Sequence, residues 1–501
     1  MFFNFNCSRI KVMKKVTLSA NQKALSLNLD PHIYGTFSEI GAGQEVVRHF
    51  FRCGGASGTI AKAMSAYDMD VSDAIYGKEE TGRYVCDSRL TKMLDREFLL
   101  LEERLSRKKH PDKTFFSFAN TVATTKYNNQ TPGHGWMGIK FQTKSKEKPS
   151  EIIFHFRLHD RDARAQQECV GILGTNLMYA SFNYFNSPKK IIKSLYDNIT
   201  KDQLEIDMVQ MNGTLFSEID NRLLSLYLVK NNMTEAVIFS PEGTNLQPSD
   251  ILYNKNILAI RGSFRPVTKV NIDMIKNGYN HFLKERKVNE KNLQVLFEIT
   301  LTNLATKTKK VPDKNLESVD VKKIKDQDFL DRVDVLCSIG QTVLISNYGR
   351  YYKLLDYFSR FTSKRMGIIL GIMNLKDIFD DKYYDHLDGG ILEGIGKMFN
   401  QDLKVYVYPY SAEKGTKILS TKNLEIDSKI KPLYDYYVSN KRLVDIKAYQ
   451  KEYLNIFSNK VLAMIRHNKK GWEDLVPTYV DNIIKENKLF GYNKSSIKKT
   501  K

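Results

Sequence analysis

The sequence predicts an α/β fold made of two α/β halves, the second a Rossmann-like doubly wound parallel sheet followed by a helical C-terminal extension. Short apolar runs rich in β-branched and aromatic residues alternate with segments of helical periodicity, most regularly between residues 257 and 408. The chain has 501 residues, more than one hydrophobic core usually organises, so we expect several domains.

Composition is that of an ordinary globular protein, with 42% hydrophobic and 27% charged residues. No apolar run reaches the roughly 18 residues of a membrane-spanning helix, and residues 1–12 lack the apolar core of a signal peptide. Five widely spaced cysteines without a Cys-x-x-Cys pair are typical of reduced thiols. We therefore expect a cytoplasmic protein with no membrane partner, whose translation starts at Met1 or Met13.

The formal net charge of +20 raises the question of a nucleic-acid partner, because clustered Lys and Arg neutralise phosphates. The Lys-rich segments resemble linkers and a tail, which favours a solvated surface, with a polyanionic partner as the alternative. Both interpretations stay open. The segments are 105–113, 143–148, 307–324 and 493–501.

The first half begins with a region predicted to be mostly helical, residues 1–110, in which Gly-rich turns precede helix-like segments at 45–51 and 59–67. These glycine turns, 41–43 and 54–58, present backbone N–H groups that could hold an anion, with tight packing as the alternative. Residues 111–256 are predicted to form an α/β domain with a parallel sheet. Its strand-like runs are 114–123, 138–143, 151–158, 204–210 and 235–240, and its helix-like runs include 188–198 and 217–230.

The second half shows the alternation more clearly and predicts a Rossmann-like domain over residues 257–422. Residues 423–501 are predicted to be a helical extension with a basic tail. The predicted strands are 257–260, 294–300, 342–345, 367–372 and 403–408, and the predicted helices are 271–286, 328–339, 349–361 and 386–399.

Ligands of open α/β sheets bind outside the carboxyl ends of the strands, where loops and helix N-termini present N–H groups. This rule selects the loops at 262–266, 300–303, 346–349 and 409–410 and predicts a site for a nucleotide or another phosphorylated ligand. The residues predicted to bind it are Gly262, Ser263, Phe264, Arg265, Ser346 and Asn347.

Glu298 lies inside an apolar strand, where a carboxylate is stable only if it is paired or protonated. It is therefore our candidate for a general base, with a structural buried ion pair as the alternative. The sequence predicts no metal-binding residues.

Residues 262–273 resemble the opening fingerprint of the nucleotidyltransferase family that includes nicotinate-mononucleotide and phosphopantetheine adenylyltransferases. The matching residues are Gly262, Ser263, Phe264, Pro266 and Thr268, whereas Val270 and Asn271 replace the family's Gly and second His. The family's second signature is echoed by Ser359, Thr362 and Arg365.

The resemblance implies adenylyl transfer with Mg²⁺ as cofactor. Gly262 and Ser263 would hold the phosphates and Arg265 and Arg365 would neutralise them. Thr268 would be the catalytic residue that hydrogen-bonds the reacting phosphate. An ordinary strand-to-helix turn, in which Gly262 forms the turn and Thr268 or Asn271 caps the helix, is the alternative.

The chain as a whole resembles a family of bacterial proteins of about 500 residues without an assigned mechanism, through residues 33–45 and 54–59. Our leading hypothesis is a protein that binds a nucleotide or another phosphorylated ligand, with adenylyl transfer as its enzymatic form. The alternatives are a non-catalytic nucleic-acid-binding protein and an assembly protein that forms homo-oligomers through its Tyr and Phe stripes.

Overall fold

The computed structural model describes residues 17–42, 44–106, 108–125, 132–305, 320–412 and 417–493. The chain forms two compact units, one of residues up to Glu205 with Met211–Glu218, the other of Ile206–Gln210 with the chain from Ile219 onward. Among the helices in the described ranges, none has both the length and the apolar character needed to cross a bilayer. The predicted translation starts and Gly43 lie outside these ranges.

The first unit contains a mixed sheet with the strand order β2-β1-β3-β4-β5-β6, the last strand lying only partly within this unit. Strands β2, β1 and β3 are parallel, whereas β3, β4 and β5 are antiparallel. Its elements are α1 (Ala20–Asn28), β1 (Ile33–Gly41), α2 (Glu45–Arg52), β2 (Ile60–Met64), α3 (Met69–Tyr76), α4 (Asp87–Arg104), β3 (Thr114–Ala123), β4 (Gly133–Phe141), β5 (Ser150–Leu158), α5 (Ala163–Asn183), α6 (Pro188–Leu195) and β6 (Leu204–Asn212).

Helices make up most of the regular structure in the described part of residues 1–110, but this stretch is not the separate region that the sequence predicted. The predicted helix at 59–67 contains strand β2, and β1 pairs with β3 along its whole length, so the predicted boundary at residue 110 falls within one sheet. A Cβ atom on Gly35 would lie 2.1 Å from the carbonyl oxygen of Phe116, and one on Gly41 would lie 1.9 Å from that of Val122. Both glycines therefore serve the close approach of β1 to β3, and the helix predicted at 45–51 is present as α2.

The second unit is built on an eight-stranded sheet with the order β16-β13-β12-β9-β10-β11-β7-β8. Its elements are α7 (Asn221–Lys230), β7 (Ala236–Phe239), β8 (Asn245–Leu246), α8 (Pro248–Leu252), β9 (Asn256–Arg261), α9 (Lys269–Leu283), β10 (Leu293–Thr300), α10 (Leu301–Leu304), α11 (Asp326–Ser338), β11 (Val343–Ser346), α12 (Tyr351–Ser359), β12 (Met366–Gly371), α13 (Ile372–Ile378), α14 (Gly390–Phe399), β13 (Leu403–Tyr408), β14 (Tyr410–Ala412), β15 (Lys417–Leu419), α15 (Lys431–Ser439), β16 (Leu443–Asp445), α16 (Ser458–Arg466) and α17 (Val480–Glu486).

The second sheet confirms the predicted doubly wound architecture. Strands β16, β13, β12, β9, β10 and β11 are all parallel, and the five predicted strands lie within one residue of the observed bounds. The chain runs outward from β9 through β10 to β11 and then returns to β12 on the other side of β9. The strand order therefore reverses between β9 and β12, as in a Rossmann fold.

Helices cover both faces of this sheet. Alternate residues of each strand enter two separate apolar clusters, as shown by Ile257 and Ala259 in one and Leu258 and Ile260 in the other. The second cluster also contains residues of α16 and α17, and β16 extends the sheet. The predicted C-terminal extension is thus part of this core. The predicted boundary at 256 likewise falls within the unit, since β7 pairs with β11.

Candidate functional site

A cavity of about 920 Å³ opens at the carboxyl edge of the second sheet, around the point where the strand order reverses. Its walls come from the segments that follow β9, β10, β11 and β12 and from helix α16. This position is the one at which open α/β sheets bind ligands, and the volume suits a small organic molecule. The lining lies within segments 261–265, 300–305, 349–351, 374–384 and 458–466.

An ion pair forms the floor of the cavity. Glu298 is fully buried and accepts hydrogen bonds from Arg261 Nε at 2.7 Å and Nη2 at 2.9 Å, and from Ser346 Oγ at 2.6 Å. Arg261 also donates to the carbonyl oxygen of Gly349 at 3.3 Å and lies 4.3 Å from the ring centroid of Tyr351. The structure thus contains the buried ion pair that the sequence left open as the alternative to a general base. Ser346 supports this pair and does not line the cavity.

The loop after β9 contributes Gly262, Ser263 and Arg265 to the cavity lining. Arg265 pairs with Asp328, which also pairs with the buried Arg332. Phe264 turns away from the cavity, with its ring packed 5.1 Å from that of Phe297 in the core. Of the residues predicted here, Phe264 therefore belongs to the packing of the loop and the other three border the cavity.

Thr268 lies immediately before α9 and has no exposed surface. Its backbone N–H and its hydroxyl both donate to Asn271 Oδ1 at 2.9 Å. Thr268 thus forms the helix cap that the sequence left open, and it does not border the cavity. Its predicted contact with a reacting phosphate has no counterpart in this geometry, because the cap turns the hydroxyl towards Asn271.

Arg365 and Asn347 lie away from the cavity. Arg365 precedes β12, and its carbonyl oxygen accepts from Ile257 N at the start of β9, so it occupies the amino edge of the sheet, roughly 20 Å from the loop after β9. It pairs there with Glu285 at 2.8 Å and Asp402 at 3.0 Å. Asn347 is exposed and donates to Asn232 at 3.1 Å. The sequence prediction of a joint phosphate site for Arg265 and Arg365 is corrected by this topology.

Arg350 and Arg466 are cavity residues that the sequence reasoning missed. The guanidinium of Arg350 lies 4.8 Å from the ring centroid of Tyr383, and its Nε is buried without a hydrogen-bond partner. Arg466 donates through Nε to the carbonyl oxygen of Phe490 at 3.4 Å. Within the described residues, neither arginine has a carboxylate at ion-pair distance. Arg350 directly follows a loop that the sequence had selected, whereas nothing local pointed to Arg466.

The electrostatics of the cavity favour an anion. Among the described residues, four arginines and one carboxylate, that of Asp377, line the cavity, and the charges of Arg261 and Arg265 are balanced from behind by Glu298 and Asp328. Burial raises the pKa of Asp377 above its usual range. The N-terminus of α12 also opens at the cavity without a side-chain cap, so its first N–H groups add positive potential.

The Lys-rich segments do not contribute to this site in the part of the chain described. Segments 307–324 and 493–501 lie largely outside the described residues, and 143–148 forms an exposed turn. No group of three or more His, Cys, Asp or Glu side chains within the described ranges is arranged to hold a metal ion.

Comparison with known proteins gives no family assignment, because no family model and no curated protein matches the chain. Solved structures that match include a competence-damaged protein (CinA) superfamily protein from Enterobacter cloacae, with 9% identity over 35% of this chain and 99% of that chain and a TM-score of 0.25. Another is a competence/damage inducible protein CihA from Agrobacterium tumefaciens, with 11% identity over 34% and 98% and a TM-score of 0.24. A CinA superfamily protein from Escherichia coli has 13% identity over 35% and 99% and a TM-score of 0.24.

Proposed function

We propose that the second unit binds a phosphorylated small molecule, in the first place a nucleotide, in the cavity at the carboxyl edge of its sheet. The observation that carries this proposal is Arg350, a partly buried arginine in the cavity lining without a carboxylate partner in the described chain. A guanidinium in such a place has a strong preference for an anionic ligand, because charge-assisted hydrogen bonds replace the water it has lost.

The surroundings of Arg350 support a phosphate in particular. Arg350 is the residue before α12, so its side chain and the backbone N–H of Tyr351 can contact the same anion at the start of this helix. Arg261, at the floor of the cavity, lies beside Arg350, because it donates to the carbonyl oxygen of Gly349. The two hydrogen bonds that Arg261 donates to Glu298 hold the orientation of its guanidinium, so Glu298 would act as a positioning residue.

Aromatic side chains in the lining favour a nucleotide over a simpler phosphate ester. Tyr351, Tyr383 and Tyr384 all border the cavity, and Tyr383 is only partly buried. Aromatic rings of this kind offer a stacking surface for a base. The cavity volume of about 920 Å³ leaves room for both the base and the phosphates.

Adenylyl transfer is the enzymatic form of this proposal. Gly262, Ser263 and Arg265 border the cavity as the nucleotidyltransferase resemblance implies. Mg²⁺, if it accompanies the nucleotide, would find a carboxylate in Asp377 and its other ligands in phosphate oxygens and water, which is how Mg²⁺ is commonly held.

The test is a set of binding isotherms for ATP, ADP, AMP, GTP and inorganic phosphate, each with and without Mg²⁺. The variant Arg350→Gln removes the charge and, lacking an ion pair to break, leaves the fold intact. Its matched control is Arg48→Gln, which removes the same charge from an exposed side chain of α2.

We expect at least one nucleotide to bind, and Arg350→Gln to raise its Kd by about 10- to 100-fold, as loss of a charge-assisted hydrogen bond does. Arg48→Gln should bind like the wild-type protein. Absence of binding at millimolar concentrations, or equal binding by the Arg350→Gln variant, would refute the proposed function.

A further inference from the structure

Helix α16 forms one wall of the cavity with a single face. Ser458, Asn459, Leu462 and Arg466 border the cavity, whereas Val461 and Ile465 of the same helix are buried in the core cluster. This is the spacing expected of a helix with one side on the core and the adjacent side on a ligand site. The wall is therefore held rigidly by the packing of the unit.

The two ends of this wall lie far apart. Ser458 Oγ donates to the carbonyl oxygen of Pro266 at 2.9 Å, which fixes the start of α16 beside the loop after β9. Arg466 lies eight residues further along, a rise of about 12 Å at 1.5 Å per residue. The N-terminus of α12 lies beside that loop, because Arg261 at the end of β9 donates to the carbonyl oxygen of Gly349. A phosphate bound at Arg350 therefore lies near the opposite end of the wall from Arg466, whose charge has no carboxylate at ion-pair distance among the described residues.

Arg466 has the contacts of a residue that can bind a ligand. Its Nε donates a hydrogen bond to the carbonyl oxygen of Phe490, and this bond orients the guanidinium. Among the described residues, the two Nη groups have no carboxylate at ion-pair distance. A favourable interaction with the C-terminal end of α16 is the competing explanation for an arginine in the last helical turn. That explanation predicts an effect on stability and none on ligand choice.

We infer that the site takes an elongated ligand with two separated anionic groups, one bound at Arg350 and the N-terminus of α12 and the other at Arg466. The inference rests on the proposed function and specifies its substrate class as a nucleotide or dinucleotide with an additional phosphate away from the first. A mononucleotide would fill only part of the cavity and leave Arg466 in water.

Two pairs of probes isolate the second anionic group, because the members of each pair differ by one phosphate. They are AMP with adenosine 3′,5′-bisphosphate, and NAD⁺ with NADP⁺. Binding is measured for the wild-type protein, Arg350→Gln and Arg466→Gln. The control is Lys470→Gln, which removes a charge from an exposed residue close to Arg466 in sequence that does not border the cavity. Thermal unfolding verifies that each variant folds.

In at least one pair we expect the additional phosphate to strengthen binding by about tenfold in the wild-type protein, the usual size of a charge-assisted hydrogen bond. Arg466→Gln should abolish this gain and leave binding of the member without the additional phosphate unchanged, while Arg350→Gln should weaken both members equally. Lys470→Gln should preserve the gain.

The inference is overturned if the additional phosphate gives no gain in the wild-type protein, or if Arg466→Gln leaves the gain intact. Those results would leave the proposed function standing as long as AMP or NAD⁺ binds through Arg350. Absence of binding by all four probes would overturn the inference, and the proposed function falls with it only if ATP, ADP, GTP and inorganic phosphate also fail to bind.

Discussion

Replacing Glu298 by Gln tests whether this carboxylate is the counter-charge of Arg261, as the geometry indicates. Glutamine keeps the shape of the side chain and can still accept a hydrogen bond from Ser346 Oγ, but it removes the charge that two guanidinium N–H groups contact. Arg261 would keep the hydrogen bond from Nη2 to Oε1, the carbonyl oxygen of Gly349 and the ring of Tyr351, but its Nε would face an amide nitrogen and its charge would have no counter-charge.

The expected loss of stability follows from the contacts that Arg261 loses and keeps. Removing one partner of a buried ion pair costs about 3–5 kcal/mol, because the remaining charge is left without compensation. The Arg261 side chain retains 9% exposure and its contact with Tyr351, which offset part of the cost. We therefore expect the free energy of unfolding of the second unit to fall by about 3 kcal/mol in Glu298→Gln.

The two tryptophans allow the second unit to be measured by itself. Trp136 belongs to the first unit and Trp472 to the second, and both are buried. In a Trp136→Phe background, the fluorescence of Trp472 reports unfolding of the second unit in urea. A loss of about 3 kcal/mol lowers the midpoint by about 1–2 M for common m-values. The control is Glu486→Gln, at an exposed position of α17, with an expected change below about 0.5 kcal/mol.

The double variant Arg261→Gln with Glu298→Gln completes a thermodynamic cycle. Because neither charge is then left unpaired, the double variant should be more stable than the sum of the single losses predicts, by at least about 1 kcal/mol. An unchanged midpoint in Glu298→Gln, or strictly additive losses in the cycle, would refute the ion-pair interpretation and revive the general-base role predicted from the sequence.

Three further replacements test individual contacts. Burial raises the pKa of Glu39 from 4.5 to about 7, so this carboxyl keeps its proton to a higher pH in the native state than in the unfolded state. The free energy of unfolding therefore falls as the pH rises through this window. The advantage of Glu39→Gln over the wild-type protein in the free energy of unfolding should therefore grow by up to about 3 kcal/mol between pH 5 and pH 8. Trp136 fluorescence in urea measures it, and a difference that does not change with pH would contradict this prediction. Thr268→Ala should cost about 1 kcal/mol of stability as a lost helix cap and leave ligand affinity unchanged, whereas reduced turnover at full stability would support catalysis. Gly278→Ala should destabilise by about 1–2 kcal/mol in urea unfolding because its Cβ would lie 2.3 Å from Ile369 Cδ1, and a gain of about 1 kcal/mol from helix propensity alone would contradict the packing.

The second sheet was predictable because its signals are local. Strands buried on both faces appear as continuous apolar runs, and the helices between them show their own periodicity, so residues 257–408 predict both the elements and their order in the chain. The loops selected by the carboxyl-end rule at 262–266, 300–303 and 346–349 border the cavity or lead into it. The loop at 409–410 does not border it.

The features of the fold and of the site that the sequence did not predict depend on tertiary contacts. Gly41 was assigned to a turn before a helix, although it is glycine because β3 passes directly beside it, and the same close approach explains Gly35. Arg365 follows a helix and precedes a strand, and only the pairing of β12 with β9 shows that it lies at the amino edge. Arg466 lies far from the predicted loops in sequence and joins the site only because α16 packs on the core.

Hydrogen–deuterium exchange with and without the tightest-binding nucleotide shows where along the chain the ligand binds, and so whether it occupies the cavity. We expect slower exchange of the amides at the start of α12, residues 350–353, and in the segment from Ser458 to Arg466, with no change in the first unit. Protection confined to the first unit, or to the amino edge of the second sheet around Arg365, would contradict the assignment of the cavity as the ligand site.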